Sequence, residues 1–222
     1  GLEVARARAI RLGLDIRDIY DGGLFTVGMG FFVGHLIHVV PYNMHMLEEE
    51  AGWLVLLQVW RGFSSTGGFI GALLGSIFFL KVVRKKSWWI HADVMMFAFP
   101  FGYVFGRLAC FTAHDHIGIP SNGLIAVDYP VIGTPECEAL SNPYFCVGPR
   151  LDMALIEALW LAVICLVFFC LRKRRMPTGS YLAIWCLMYS PVRLVLDNFR
   201  NQDLEGADVR FLGLTPAQYW AL

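Results

Sequence analysis

Residues 151–171 read LDMALIEALWLAVICLVFFCL, and Arg172, Lys173, Arg174 and Arg175 follow at once. The run has the length of the ~20 helical residues that cross a bilayer, and the basic cluster after it fits a headgroup layer. Four more runs of this kind lie at about 20–41, 63–83, 92–112 and 179–199, and a sixth opens at Thr215. The chain is 57% hydrophobic and only 16% charged, less charge than a soluble domain carries. Most of its tryptophans sit near the ends of the apolar runs, where an amphipathic ring suits an interface. The fold class expected is all-α: a polytopic integral membrane helical protein, with residues 1–222 forming one membrane domain.

Positive charge orients the spans. Arg6, Arg8 and Arg11 precede the first; Lys81, Arg84, Lys85 and Lys86 join the second to the third; Arg172 to Arg175 join the fourth to the fifth. The intervening loops lack dense positive charge, and one holds Glu48, Glu49 and Glu50. The positive-inside tendency puts the basic loops in the cytoplasm and the loops at about 42–61, 113–150 and 200–214 outside. Residues 113–150 are rich in Gly, Pro, Asn and Asp and carry no helical apolar stripe, so they read as a small irregular periplasmic cap. Within it, Cys137 and Cys146 could pair in an oxidising compartment, although two cysteines nine apart leave the matter open. Cys165, Cys170 and Cys186 read as small buried hydrophobes. The formal net charge of zero gives no reason to expect a nucleic acid partner. The chain begins at Gly1 without a signal-peptide pattern and ends in a fresh apolar stretch, as a fragment cut at both ends would.

Charges inside the spans carry the functional signal. Arg107 lies near the outer end of the third span and Arg193 in the outer half of the fifth. A central arginine costs ~2.5–3.5 kcal/mol on the insertion scale, so it is usually paired or lines a polar cavity. Asp197 falls four residues after Arg193 and shares its helix face; Arg200 follows three later. Snorkelling to the headgroups explains an arginine near a helix end equally well, Arg200 above all. Two guanidinium groups from different helices at one leaflet point further, to an anion site, because their forks match phosphate oxygens. Glu157, one to two turns into the fourth span, should face protein; Arg107 or Arg193 could partner it, and the sequence does not choose between them.

After Arg107 come His114, Asp115 and His116. Either imidazole suits a general base, with Asp115 orienting it. The plainer reading is a polar loop start capped by Asp115. Three consecutive residues share no helix face, so no metal site is expected, and no cofactor. Ser64-Ser65-Thr66-Gly67-Gly68-Phe69-Ile70-Gly71 opens the second span. Small residues there allow close helix packing, which accounts for Gly71 and Gly75, while Gly67 and Gly68 could let backbone N–H groups approach a headgroup. His35 and His38 read as satisfied interior histidines rather than ligands.

These motifs resemble a family. Gly106-Arg107-Leu108-Ala109-Cys110-Phe111-Thr112-Ala113-His114-Asp115-His116-Ile117-Gly118 is similar to the signature of the prolipoprotein diacylglyceryl transferases, Gly-Arg-x-Gly/Ala-Asn-Phe-x-Asn-x-Glu-x-x-Gly. Residues 59–71 resemble the stretch of that family ending in His-Gly-Gly-Leu-Ile-Gly. Tyr189 through Arg193, Asp197 and Arg200 resembles its Tyr-Gly-x-x-Arg-x-x-x-Glu-x-x-Arg helix, and residues 214–218 look like the start of its last span. The order is right over nearly the whole chain. The resemblance implies seven spans, of which this chain holds the second to the sixth. It also implies a site on the periplasmic face of the bacterial inner membrane, in lipoprotein biogenesis. There the diacylglyceryl group of phosphatidylglycerol passes to the lipobox cysteine that follows a prolipoprotein signal peptide. Carried over, Arg107 and Arg193 hold the phosphate, helped by Asp197 and Arg200. Apart from the family pattern, His114 or His116, oriented by Asp115, is expected to help ionise the thiol. Thr66, Gly67, Gly68, Gly106, Cys110 and Gly118 line the substrate. The chain departs from the family at Thr66 for histidine, at Cys110 and Ala113 for asparagine, and at Asp115 and Asp197 for glutamate. An alternative reading follows from these departures: a non-catalytic lipid-binding or scaffolding subunit of a larger membrane complex. A transporter ranks lower, since neither repeats nor broken helices are evident.

Overall fold

The computed structural model describes residues 1–40, 43–48, 52–114, 116–139, 146–204 and 210–222. Its helices are α1 (Leu2–Arg11), α2 (Ile16–Val39), α3 (Ser65–Phe78), α4 (Trp88–Ala113), the short α5 (Pro135–Glu138), α6 (Met153–Leu171), α7 (Ser180–Leu196) and α8 (Pro216–Ala221). Three strands, β1 (Ile117–Pro120), β2 (Ala126–Val131) and β3 (Val147–Asp152), lie between α4 and α6. Four helices are long and apolar enough to cross a membrane: Ile16–Val39, Ser65–Val83, Trp88–Ala113 and Met153–Leu171. The molecule is thus a multi-pass helical membrane protein with a small sheet. Residues 179–199 are the 17-residue α7 followed by a 3-10 turn over Asp197–Phe199. Side chains at helix starts satisfy backbone N–H groups the helix leaves orphaned. Asp15 accepts from Arg17, Asp152 from Leu155, and Thr215 with Gln218 makes a reciprocal capping box.

The chain divides into two compact units, one of residues 1–98 with 176–183, the other of 99–175 with 184–222. In the first unit α2 and α3 pack backbone to backbone. A Cβ on Gly71 would lie 2.4 Å from the Met29 carbonyl oxygen, and one on Gly75 2.6 Å from Met29 Cβ. Only glycine allows that approach, which confirms the packing role read for both. Ala5, Ala9, Ile19, Val94 and Ala98 form a small buried cluster. His35 is fully buried, with Nδ1 2.9 Å from the Gly62 carbonyl and Nε2 2.8 Å from that of Val55, so it is an interior histidine tying α2 to the segment before α3.

The second unit holds the sheet, in the order β1-β3-β2 with antiparallel pairing and Val127 opposite Arg150. Part of the segment expected to be irregular is therefore a sheet. The reason lies in β3, whose buried positions are Gly148, Arg150 and Asp152. An inward face made of glycine and charge has no apolar alternation to read. Arg150 donates to the Gly118 carbonyl and grips Asp203 with two nitrogens, at 3.0 and 2.5 Å. That contact holds the Asp203 carboxyl below its ordinary range. Cys137 and Cys146 form a disulfide, resolving the pairing left open above. Cys170 and Cys186 are exposed and Cys165 half-buried, against the expectation of burial; a helix in lipid is apolar on its outer face too, so an apolar run does not mark the core.

Candidate functional site

Within the second unit, α4, α6 and α7 bring their costly charges to one carboxylate. Glu157, on the second turn of α6, has a side chain only 2% exposed. Its Oε2 lies 2.8 Å from Arg193 Nη1 and 3.1 Å from Arg107 Nε. Its Oε1 accepts from the Tyr189 hydroxyl and, at 3.3 Å, from that of Tyr103. The two phenol oxygens are 3.2 Å apart. Arg107 Nη2 donates to Tyr103 at 2.6 Å and its Nη1 meets His116 Nε2 at 3.2 Å. On the far side of Arg193, Nη2 lies 3.0 Å from Asp197 Oδ1. Asp197 is fully buried, takes the Thr215 hydroxyl proton as a hydrogen bond, and offers its carbonyl to Arg210 at 2.9 Å. The four charged groups sum to zero: two guanidinium ions against two carboxylates. Buried ions survive only when paired and hydrogen-bonded like this.

A helical ladder organises the pocket. Phe99, Tyr103 and Arg107 recur at intervals of four on α4, as do Trp185, Tyr189, Arg193 and Asp197 from α7 into its 3-10 turn. Residues so spaced share a face. Trp185 stacks on Tyr189 with centroids 4.6 Å apart, Phe99 stacks on Tyr103 at 5.1 Å, and Phe99 meets Trp185 edge-on at 5.0 Å. Aromatic faces thus support the tyrosines, and the tyrosines orient the guanidinium groups.

Next to this pocket in the chain, β3 ends at Asp152, which is also the cap of α6. It is fully buried. Its Oδ1 accepts the Leu155 N–H at 2.9 Å and its Oδ2 the Tyr129 hydroxyl at 2.7 Å. Burial and this carboxylate raise the Tyr129 phenol well above its ordinary range, so it stays a donor. His114 Nδ1 lies 4.0 Å from the same Oδ2, with the His114 ring edge-on to Tyr129.

The sequence-predicted residues fall as follows. Arg107, Arg193 and Asp197 come together, and Glu157 meets both arginines rather than one. Arg200 pairs through its backbone with Gly118. Gly118 is needed there: a Cβ would sit 2.7 Å from the Phe199 carbonyl oxygen and 2.9 Å from that of Leu151. A Cβ on Gly106 would meet only the Tyr103 ring, at 3.9 Å. Cys110 is half-buried and outside any disulfide, one turn after Arg107. Asp115 lies outside the described residues. Thr66, Gly67 and Gly68 belong to the first unit, in the first turn of α3. There the Gly67 N–H faces Ser64 Oγ at 3.4 Å and the Gly68 N–H bonds to the Ser64 carbonyl at 2.9 Å. Sequence reasoning missed Tyr103 and quoted Tyr189 within a motif without giving it a role, although each stands four residues before an arginine of the cluster. It also missed Tyr129 and Asp152, for which no local signal existed. No group of three or more possible metal ligands occurs among the described residues.

A sequence profile described as prolipoprotein diacylglyceryl transferase matches residues 1–222. Curated relatives bear the name phosphatidylglycerol–prolipoprotein diacylglyceryl transferase. That of Mannheimia succiniciproducens is 28% identical over 92% of this chain and 71% of its own length. The Acinetobacter baumannii protein is 27% identical over 91% of this chain and 70% of its own. The Helicobacter hepaticus protein is 26% identical over 84% of this chain and 63% of its own. The chain therefore spans about two thirds of the length of these relatives.

Proposed function

Because the chain belongs to the prolipoprotein diacylglyceryl transferase family, we propose that it moves the diacylglyceryl group of phosphatidylglycerol to the lipobox cysteine of a prolipoprotein. The bacterial inner membrane is its place, with α7 as a fifth crossing, the basic loops in the cytoplasm and the sheet on the periplasmic face. The observation that carries the reading is the convergence of Arg107 and Arg193 on a single anionic oxygen, within 3.1 and 2.8 Å. A pair of guanidinium groups that meets a carboxylate so closely offers the donors a phosphodiester needs. Glu157 keeps them in place beforehand, and their charge stabilises glycerol phosphate as it departs. His114 or His116 helps ionise the incoming thiol, with Asp115 as an orienting acid.

Purified protein given phosphatidylglycerol vesicles and a lipobox peptide is expected to release glycerol phosphate and form a thioether. Replacing Arg193 with Ala should abolish both, with a lowered unfolding midpoint; full activity in the folded variant refutes the phosphate role. The departures at Thr66, Cys110 and Ala113 favour a second reading, a lipid-binding subunit without catalysis. Tight binding of phosphatidylglycerol with no glycerol phosphate released would decide for it.

A further inference from the structure

His114 and His116 are two residues apart and have unlike neighbours. Resting on the transferase reading, we infer that His114 takes the thiol proton with Asp152 and Tyr129 positioning it, while His116 holds Arg107.

The argument begins with what each contact permits. A guanidinium only donates, so at 3.2 Å from Arg107 Nη1 the His116 Nε2 must accept. A proton added to that nitrogen would end the hydrogen bond and set two cations face to face. His116 is therefore a strut for Arg107. His114 faces an anion instead. Its Nδ1 is 4.0 Å from Asp152 Oδ2, too long for a direct hydrogen bond but close enough for charge to act. Asp152 itself is immobile, fixed by the Leu155 N–H and the Tyr129 hydroxyl. That fixed charge draws the ring proton to Nδ1 and leaves Nε2 to accept. The His114 side chain is 37% exposed, so an incoming group can reach it. Its backbone is left-handed, with φ 54°, as the chain turns from α4 toward β1. Histidine is among the non-glycine residues enriched there.

The step balances. His114 Nε2 takes the thiol proton, and the sulfur pair forms the bond to the glyceryl carbon beside the phosphate. That carbon's bond to the phosphate oxygen breaks, its electron pair leaves with glycerol phosphate, and the imidazolium gives the proton to the departing phosphate or to water.

Four variants test the division in the full chain: H114A, H116A, D152N and Y129F. Turnover and the KM for phosphatidylglycerol are measured with a lipobox peptide, and binding of short-chain phosphatidylglycerol by calorimetry. H114A should lower kcat about 10²–10⁴-fold, the range for a general base, while binding stays within about twofold of the parent. Added imidazole should restore part of the loss. D152N keeps an oxygen for the Leu155 N–H, removes the charge and turns an amide donor toward Tyr129, so it should lower kcat in the same direction with binding intact. Y129F should do so more weakly, and serves where D152N folds poorly. H116A should weaken phosphatidylglycerol binding at least fivefold. A parent that releases no glycerol phosphate overturns the transferase reading, and the proton role of His114 with it. An active parent whose H114A variant keeps its kcat, or whose H116A variant carries the imidazole-rescued kcat loss, overturns the division alone.

Discussion

Glu157 is the residue on which the most depends, since two guanidinium groups and two phenols meet its oxygens. Glu157→Gln preserves the shape and one acceptor but leaves both arginines short of a counter-charge. Breaking a buried pair in this way costs about 3–5 kcal/mol, so the unfolding midpoint should fall steeply. Tyr103→Phe, which removes a neutral hydroxyl and its contacts with Arg107, Tyr189 and Glu157, should cost less, about 1–3 kcal/mol. Equal midpoints for the two variants would contradict the central place given to the carboxylate. At this scale the sequence is legible where a charge sits in an apolar run, because such a charge has few explanations. Arg107, Arg193, Asp197 and Glu157 stood out for that reason. The tyrosines were readable by their spacing of four and were passed over, since a tyrosine in a membrane span is unremarkable by itself. Asp152 was beyond reach: its partners His114 and Tyr129 are far from it in sequence, and only the sheet joins them.

The helices were plain at the scale of elements because lipid demands long apolar runs, and observed ends fall within a few residues of expected ones. The strands were not, because β3 turns Arg150 and Asp152 inward. Two tests belong to this sheet. Gly118→Ala forces a methyl against the Phe199 and Leu151 carbonyls and should cost about 1–3 kcal/mol in thermal unfolding, as overpacking does. An unaltered midpoint would show that the strand has room to shift. The Arg150–Asp203 pair gives a pH dependence. The Asp203 carboxyl titrates lower in the folded protein than in the unfolded chain, so its contribution is present above the unfolded value of ~3.9 and is lost as pH falls through the folded one. Half-exposure of Asp203 keeps the effect small. The difference in midpoint between parent and Asp203→Asn should be constant at neutral pH and vanish in acid; a gap that widens in acid has the wrong sign.

For the molecule as a whole the proposed sidedness makes a prediction about the disulfide. With the other cysteines replaced, a membrane-impermeant maleimide added to intact cells should label Cys137 and Cys146 only after mild reduction. Labelling without reduction would deny the bond, and silence after reduction would put the sheet on the inner side. The charge pattern predicts this orientation because it acts during insertion, before any tertiary contact exists. The neutral cluster of Arg107, Arg193, Glu157 and Asp197 bears on the same moment of a protein's life. Arg193 and Asp197 already pair within one segment, whereas Arg107 on α4 and Glu157 on α6 find relief only when the helices dock. The last helix to arrive closes a circuit of four ions. The finished cluster carries no net charge, so nothing in it has to be neutralised from outside.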